Sequence, residues 1–224
     1  DCILHVGDMV QVADDPVQWA LYTQIVSPIA DLIRPCPGNH DYPIEMYYSL
    51  YSRFYRSPAA LYYSFDLANV HIISLSPRVY HPHPDPELLA WLRNDLEESV
   101  TAKWKIAFFH LPPYSSGHHG SHLLIRQWLV PVLEEYGVDL VFNGHNHGYE
   151  RTHPIKNESI DQSGIVYLIS GGGGAPLGEF DGDLFTATSA SVFNYSEISV
   201  QGGNLRIITF NSNDQELDSY QLRR

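Results

Sequence analysis

Four short patterns carry residues able to do chemistry: Gly7-Asp8, Gly38-Asn39-His40-Asp41, an isolated His110 after an apolar run, and Gly144-His145-Asn146-His147. Carboxylate, amide oxygen and imidazole make a mixed oxygen and nitrogen donor set suited to zinc, iron or manganese, whereas calcium favours oxygen alone. Thiolate coordination is excluded, because Cys2 and Cys36 are the only cysteines. In His145-Asn146-His147, two imidazoles one residue apart on a bent loop can diverge toward two neighbouring ions, with Gly144 and Gly148 relieving the backbone. A lone histidine among twelve is most often a surface or core residue. It is the conjunction of four patterns in this order that singles these residues out.

The elements that must position them are short and apolar. Ile3–Val6, Ile106–Phe109 and Leu140–Phe142 read as buried strands that stop at Gly7-Asp8, His110 and Asn143-Gly144-His145. Ligand sites in open α/β sheets form beyond the carboxyl ends of strands, so these residues and the Asn39-His40-Asp41 loop are expected to share one crevice. The spacing of Trp19, Tyr22, Ile25, Ile29 and Ile33 predicts a helix over 14–33, interrupted at Pro28. A Tyr-rich helix is expected at 44–55, an amphipathic helix at 87–100, and a helix at 121–136 capped by Ser121 and followed by Gly137. Strands are expected near 61–65, 70–75, 103–109, 138–142, 165–170, 192–200 and 205–210, with a last one before Arg224. Alternating strands and helices followed by a β-rich final third predict an α/β sandwich with mixed sheets.

Bulk composition narrows the function. The 224 residues suffice for one domain with a full core, and a 44% hydrophobic content marks a globular chain. A net charge of -13 argues against a generic nucleic-acid surface, so an anionic ligand would have to be held locally, for instance through bound cations. No run is long enough to cross a bilayer, and no membrane partner is expected. The two cysteines read as inert core thiols.

These residues resemble the calcineurin-like metallophosphoesterase superfamily, which reads Gly-Asp, Gly-Asn-His-(Asp/Glu), His and Gly-His-x-His. Gly144-His-Asn-His-Gly-Tyr-Glu-Arg151 and His110-Leu-Pro-Pro-Tyr114 are most similar to its purple acid phosphatase branch. The resemblance extends over almost the whole chain. It implies a four-layer α/β/β/α sandwich in a single domain over 1–224. It also implies that Asp8 bridges two metals, that Asn39, His110 and His145 complete one site, and that His147 belongs to the other. His40 would touch the substrate phosphate or assist the leaving group, and His118 and His119 fall near the substrate-facing histidines of that branch.

The implied activity is hydrolysis of a small-molecule phosphate monoester by a metal-bound hydroxide, with iron, zinc or manganese as cofactor. The alternatives are a phosphodiesterase of the same superfamily and a catalytically silent metal-binding domain. The resemblance further implies a secreted or periplasmic protein.

Two departures qualify it. The family's first motif, a strand ending in Asp-x-His or Asp-x-Gly, is absent, so the domain is expected to lack its N-terminal strand. Gln11 stands where purple enzymes carry a tyrosine. The first of the two metal sites therefore keeps only Asp8 and His147.

Weaker signals have plainer readings. Gly171–Gly174 lacks a following Gly-Lys-Ser/Thr and reads as an irregular loop near the site. His81-Pro82-His83-Pro84 reads as an extended loop, and His5 and His71 as structural residues within strands. The sequons at Asn157 and Asn194 decide nothing about location.

Overall fold

The computed structural model describes residues 1–76 and 85–224, so the His81–Pro84 stretch lies outside the described residues. In chain order the elements are β1 (Ile3–His5), α1 (Pro16–Val26), β2 (Ile33–Pro35), α2 (Glu45–Tyr51), β3 (Tyr63–Leu67), β4 (Val70–Ser74), α3 (Pro86–Glu98) and β5 (Trp104–Phe108). There follow α4 (Leu123–Trp128), α5 (Val130–Glu135), β6 (Leu140–Asn143), β7 (Tyr149–Thr152), β8 (Ile155–Lys156) and β9 (Ser159–Ile160). The chain closes with β10 (Val166–Ser170), β11 (Thr186–Ala190), β12 (Asn194–Gln201), β13 (Asn204–Asn211) and β14 (Glu216–Arg223).

A seven-stranded mixed sheet, ordered β11-β7-β10-β6-β5-β4-β3, forms the centre. Its middle strands β4, β5, β6 and β10 run parallel. Parallel strands are covered on both faces, which explains why these segments read as unbroken apolar runs. The two-residue period sends Ala107, Phe109, Val141 and Tyr167 to one face, against Leu88, Leu92 and Leu96 of α3 and Ile125 and Leu133 of α4 and α5. It sends Ile106, Phe108, Leu140, Phe142 and Leu168 to the other, against Leu205 and Ile207 of β13, Leu4 of β1 and Val6 just after it.

That second layer consists of the parallel pair β1-β2 and the antiparallel sheet β12-β13-β14. Beyond it, Trp19 of α1 and Tyr47 and Tyr51 of α2 pack on Ile33 of β2. The four-layer mixed α/β sandwich expected from the sequence is thus the fold observed. Among the described residues no helix is long and apolar enough to cross a membrane.

Several local expectations are corrected. The helix expected to reach Ile33 ends at Val26, passes through a 3-10 turn at Ser27–Leu32, and Ile33 opens β2. Pro28 at the start of that turn supplies no amide to continue an α-helix. The residues of that spacing do not share one environment: Trp19 is 3% exposed, but Ile25 is 66% exposed.

The helix expected at 121–136 is two helices broken at Leu129, ahead of Pro131, and its cap is His122 rather than Ser121. Ser121 instead accepts a hydrogen bond from the Ser115 amide. By contrast α1 and α3 start on Asp15 and Asp85, each accepting from two backbone amides ahead of a proline at the first helical position. Strands β2, β7, β8, β9 and β11 were not anticipated. Both cysteines are free thiols, Cys36 buried and Cys2 partly so.

Candidate metal centre

Strand β1 delivers Val6-Gly7-Asp8 to the carboxyl edge of the sheets, where the chain turns sharply. Gly7 and Asp8 both take left-handed conformations (φ 92° and 55°). A side chain at Gly7 would lie 2.6 Å from the Gly38 nitrogen and 2.8 Å from His110 Nδ1, so only glycine lets the three segments meet. The carboxylate of Asp41, fully buried, accepts from the amides of Asp8 (2.9 Å), Met9 (2.9 Å) and Gly38 (2.8 Å). Asp41 therefore pins the strained Asp8 turn to the Gly38-Asn39-His40 loop. The loop returns the contact through the His40 amide, which donates to Asp8 Oδ1 at 2.7 Å.

His110 follows β5, and its Nδ1–H donates to the Val6 carbonyl at 2.7 Å. In the neutral ring this leaves the Nε2 lone pair facing Asp8 Oδ2 at 2.9 Å and Asn39 Oδ1 at 3.0 Å. His145, beyond β6, points Nδ1 at the same place, 2.9 Å from Asn39 Oδ1 and 3.3 Å from His110 Nε2. Of the two glycines expected to relieve this loop, Gly148 has positive φ (158°) but Gly144 does not; His145 itself is left-handed (φ 68°).

Titration agrees with that geometry. Burial, with the nearby His110, lowers His145 to about 3. For Asp8, burial opposes ionisation, but the His110 hydrogen bond and the His40 amide outweigh it and hold the carboxyl below its usual range. Near neutral pH the cluster therefore contains a carboxylate, an amide oxygen and a neutral His145. Asp8 Oδ2, Asn39 Oδ1, His110 Nε2 and His145 Nδ1 face one another at 2.9–3.3 Å, contacts that either ring protons or one shared cation can satisfy. Ligands held at roughly 2.1 Å around one transition metal would themselves lie about 3–3.5 Å apart. The residues present fit such an ion, and among the described residues Asp8, His110 and His145 form a group whose ligand atoms all lie within 4.8 Å of one another.

The other expected site residues are arranged around this cluster. His147 is outside it: its Nδ1 donates to the Pro176 carbonyl at 2.9 Å, and its ring centre lies 6.4 Å from that of His119. The Gly171–Gly174 loop does run beside the site, with the Gly171 amide donating to the Gly148 carbonyl, and further along Gly178 donates to the His147 carbonyl. His119 lies over His145, ring centres 4.5 Å apart, while His118 is one ring further out at 5.2 Å from His119. Both are exposed. Burial and the neighbouring His118 and His147 lower the pKa of His119.

The His40 ring is turned by its Nδ1 contact with the Gln11 carbonyl at 2.9 Å. Sequence reasoning assigned no role to Asp41, although it stood in the quoted motif, nor to the Val6 and Pro176 carbonyls, which leave no side-chain signal.

Residues 1–149 match the family model described as calcineurin-like phosphoesterase. The chain belongs to this family. It is 33% identical over 178 residues to purple acid phosphatase 18 of Arabidopsis thaliana, covering 70% of this chain and 40% of that protein. It is 32% identical over 228 residues to purple acid phosphatase 21 of the same plant, covering 93% and 51%. Acid phosphatase type 7 of Mus musculus is 30% identical over 216 residues, covering 78% and 48%.

The chain thus spans about half or less of these relatives' own length. The structure of purple acid phosphatase PPD1 from yellow lupin superposes with a TM-score of 0.86 at 22% identity, covering 100% of this chain and 46% of that one. GAP50, titled the anchor in the inner membrane complex of Plasmodium, superposes at 0.74 with 16% identity, covering 99% and 78%. These two likenesses concern the fold alone.

Proposed function

We propose that this chain is a single-domain, metal-dependent phosphatase hydrolysing small-molecule phosphate monoesters, with Asp8, Asn39, His110 and His145 holding one ion and His147 facing a second. The observation that carries the reading is the convergence of four potential ligand atoms on one point, each from a residue the fold had to bring in from a different part of the chain. Iron, zinc or manganese bound there would polarise a phosphoryl oxygen and acidify a water molecule.

The chain's own residues supply the rest. The Asp41 carboxylate keeps Asp8 in its strained turn, so the cluster needs no reorganisation to receive a cation. His119, over His145, is within reach of a phosphate seated on the cluster and can donate an N–H to a non-bridging oxygen. His40, its Nδ1–H spent on the Gln11 carbonyl, keeps Nε2 for the phosphate or the leaving-group oxygen. A secreted or periplasmic setting belongs to the same reading.

The test is metal analysis of the purified chain together with turnover of p-nitrophenyl phosphate and bis-p-nitrophenyl phosphate, with iron, zinc or manganese added. Tightly bound metal and faster monoester turnover are expected. Preference for the diester would make it a phosphodiesterase. Less than one ion bound with no hydrolysis of either would make it a silent metal-binding domain.

A further inference from the structure

Asn146 stands between His145 and His147, yet its side chain turns away from both and is 1% exposed. Its Oδ1 accepts the backbone N–H of His119 at 2.9 Å. Its Nδ2 donates to Ser115 Oγ at 2.7 Å and, at 3.5 Å, to the Gly120 carbonyl. Ser115 has one hydroxyl proton, which goes to Glu150 Oε2 at 3.0 Å, while the oxygen also accepts from the Gly117 amide at 3.0 Å.

Glu150 on β7 is equally buried and receives further donors from the Ser116 amide (2.9 Å), the Ser116 hydroxyl (2.7 Å) and the Thr186 hydroxyl (2.6 Å). The proton order is therefore forced: amide to hydroxyl to carboxylate. Reversing either end would leave two donors or two acceptors face to face in a buried site.

We infer that Asn146, Ser115 and Glu150 form a positioning chain that fixes His119 over the cation cluster. None of the three is assigned a contact with substrate. They act by holding the backbone of an exposed loop whose ring must meet the phosphate at one distance, and in this the inference rests on the function proposed above. Loops of this kind are mobile unless tied down, and a small displacement of a substrate-facing group is expensive in rate.

The test begins with hydrogen exchange of the wild-type chain. The His119 amide is expected to exchange slowly although its side chain is exposed, and exchange as fast as in a free loop overturns the inference. The second arm is a double-mutant cycle on p-nitrophenyl phosphate turnover with Ser115→Ala and His119→Ala.

Ser115→Ala alone should lower kcat/KM about 10-fold, the low end of the loss seen when outer-shell partners of a metal site are removed. Metal content should be unchanged. In the His119→Ala background the same change should have little effect, because its target is gone. Equal effects of Ser115→Ala in both backgrounds would mean that the chain does not act through His119.

Ser115→Thr, which keeps the hydroxyl, should restore most of the rate if it folds. Should Ser115→Ala not fold, Asn146→Asp serves: it keeps the acceptor for His119 but sets a carboxylate oxygen against the Ser115 lone pairs, and should speed exchange of the His119 amide. Wild type that hydrolyses neither ester overturns the proposed function alone, and the amide exchange rate still decides the positioning chain.

Discussion

Two histidine clusters belong to the same central sheet and behave in opposite ways. At the β3 edge, His71 is buried with both ring nitrogens facing carboxylates, Asp66 Oδ1 at 2.8 Å and Asp95 Oδ2 at 2.9 Å. Every donor there has an acceptor. At the carboxyl edge, His110 and His145 share a space with Asp8 and Asn39 in which two ring nitrogens face each other as well as a carboxylate and an amide oxygen. Residue types are almost the same in the two places. The first cluster is electrostatically complete and holds β3, β4 and α3 together, whereas the second gathers two imidazoles, one carboxylate and one amide oxygen into a donor set that a single cation can share. The same contrast appears in titration: burial opposes charging of both histidines, but the Asp95 and Asp66 hydrogen bonds raise His71, whereas at His145 burial and the neighbouring His110 and His119 outweigh the opposing Asp8 charge and lower it to about 3.

The largest way to break this contrast is to remove a lone pair from the second cluster. His145→Ala should abolish tight metal binding and lower turnover of p-nitrophenyl phosphate about 100-fold or more, since even outer-shell changes at metal sites cost 10- to 100-fold. Metal content equal to wild type would contradict it. His71→Ala should do the reverse. It leaves Asp95 without its buried partner and should lower the free energy of unfolding by about 2 kcal/mol, while metal content and turnover per folded molecule stay unchanged.

A smaller effect sharpens the comparison through pH. In metal-free protein His145 and His5, which burial lowers to about 4, bind protons more readily unfolded than folded. Stability should therefore decline as pH falls from about 6.5 toward their folded values. His71, raised in the fold, has the opposite sign. Its contribution is complete below its unfolded pKa and is lost as pH rises through its folded one.

Urea midpoints measured against pH should thus show a shallower acid-side decline in His145→Ala and a shallower neutral-side decline in His71→Ala. Identical pH profiles for the two variants would mean that the clusters do not differ as described. The smallest effect is the control: Arg93→Ala removes an ion pair with Glu135 in which both partners are largely solvated, and should leave the urea midpoint unchanged within error.

The amino-acid sequence determined the strands that end in chemistry. Unbroken apolar runs at Ile106–Phe109 and Leu140–Phe142 read as buried strands, which places the polar residues that stop them at their carboxyl ends. It also determined the donor types, because carboxylate, amide and imidazole occur at the right breaks and thiols do not. Period and composition are local properties, and these conclusions needed nothing else.

Only the tertiary structure decided which donors meet. It joined Asp8, Asn39, His110 and His145 and set His147 apart on the Pro176 carbonyl. It exposed Ile25 while burying Trp19 of the same helical spacing, and made Ile33 the start of a strand. It gave Asp41 and Asn146 their roles through backbone amides, which every residue possesses and no pattern of side chains reveals. Whether a buried histidine is a finished structural contact or part of an open cation site depends on which protons and lone pairs face it across separations that run from 5 to 106 residues of chain. That pairing is a property of three-dimensional packing, so the sequence order alone could not contain it in readable form.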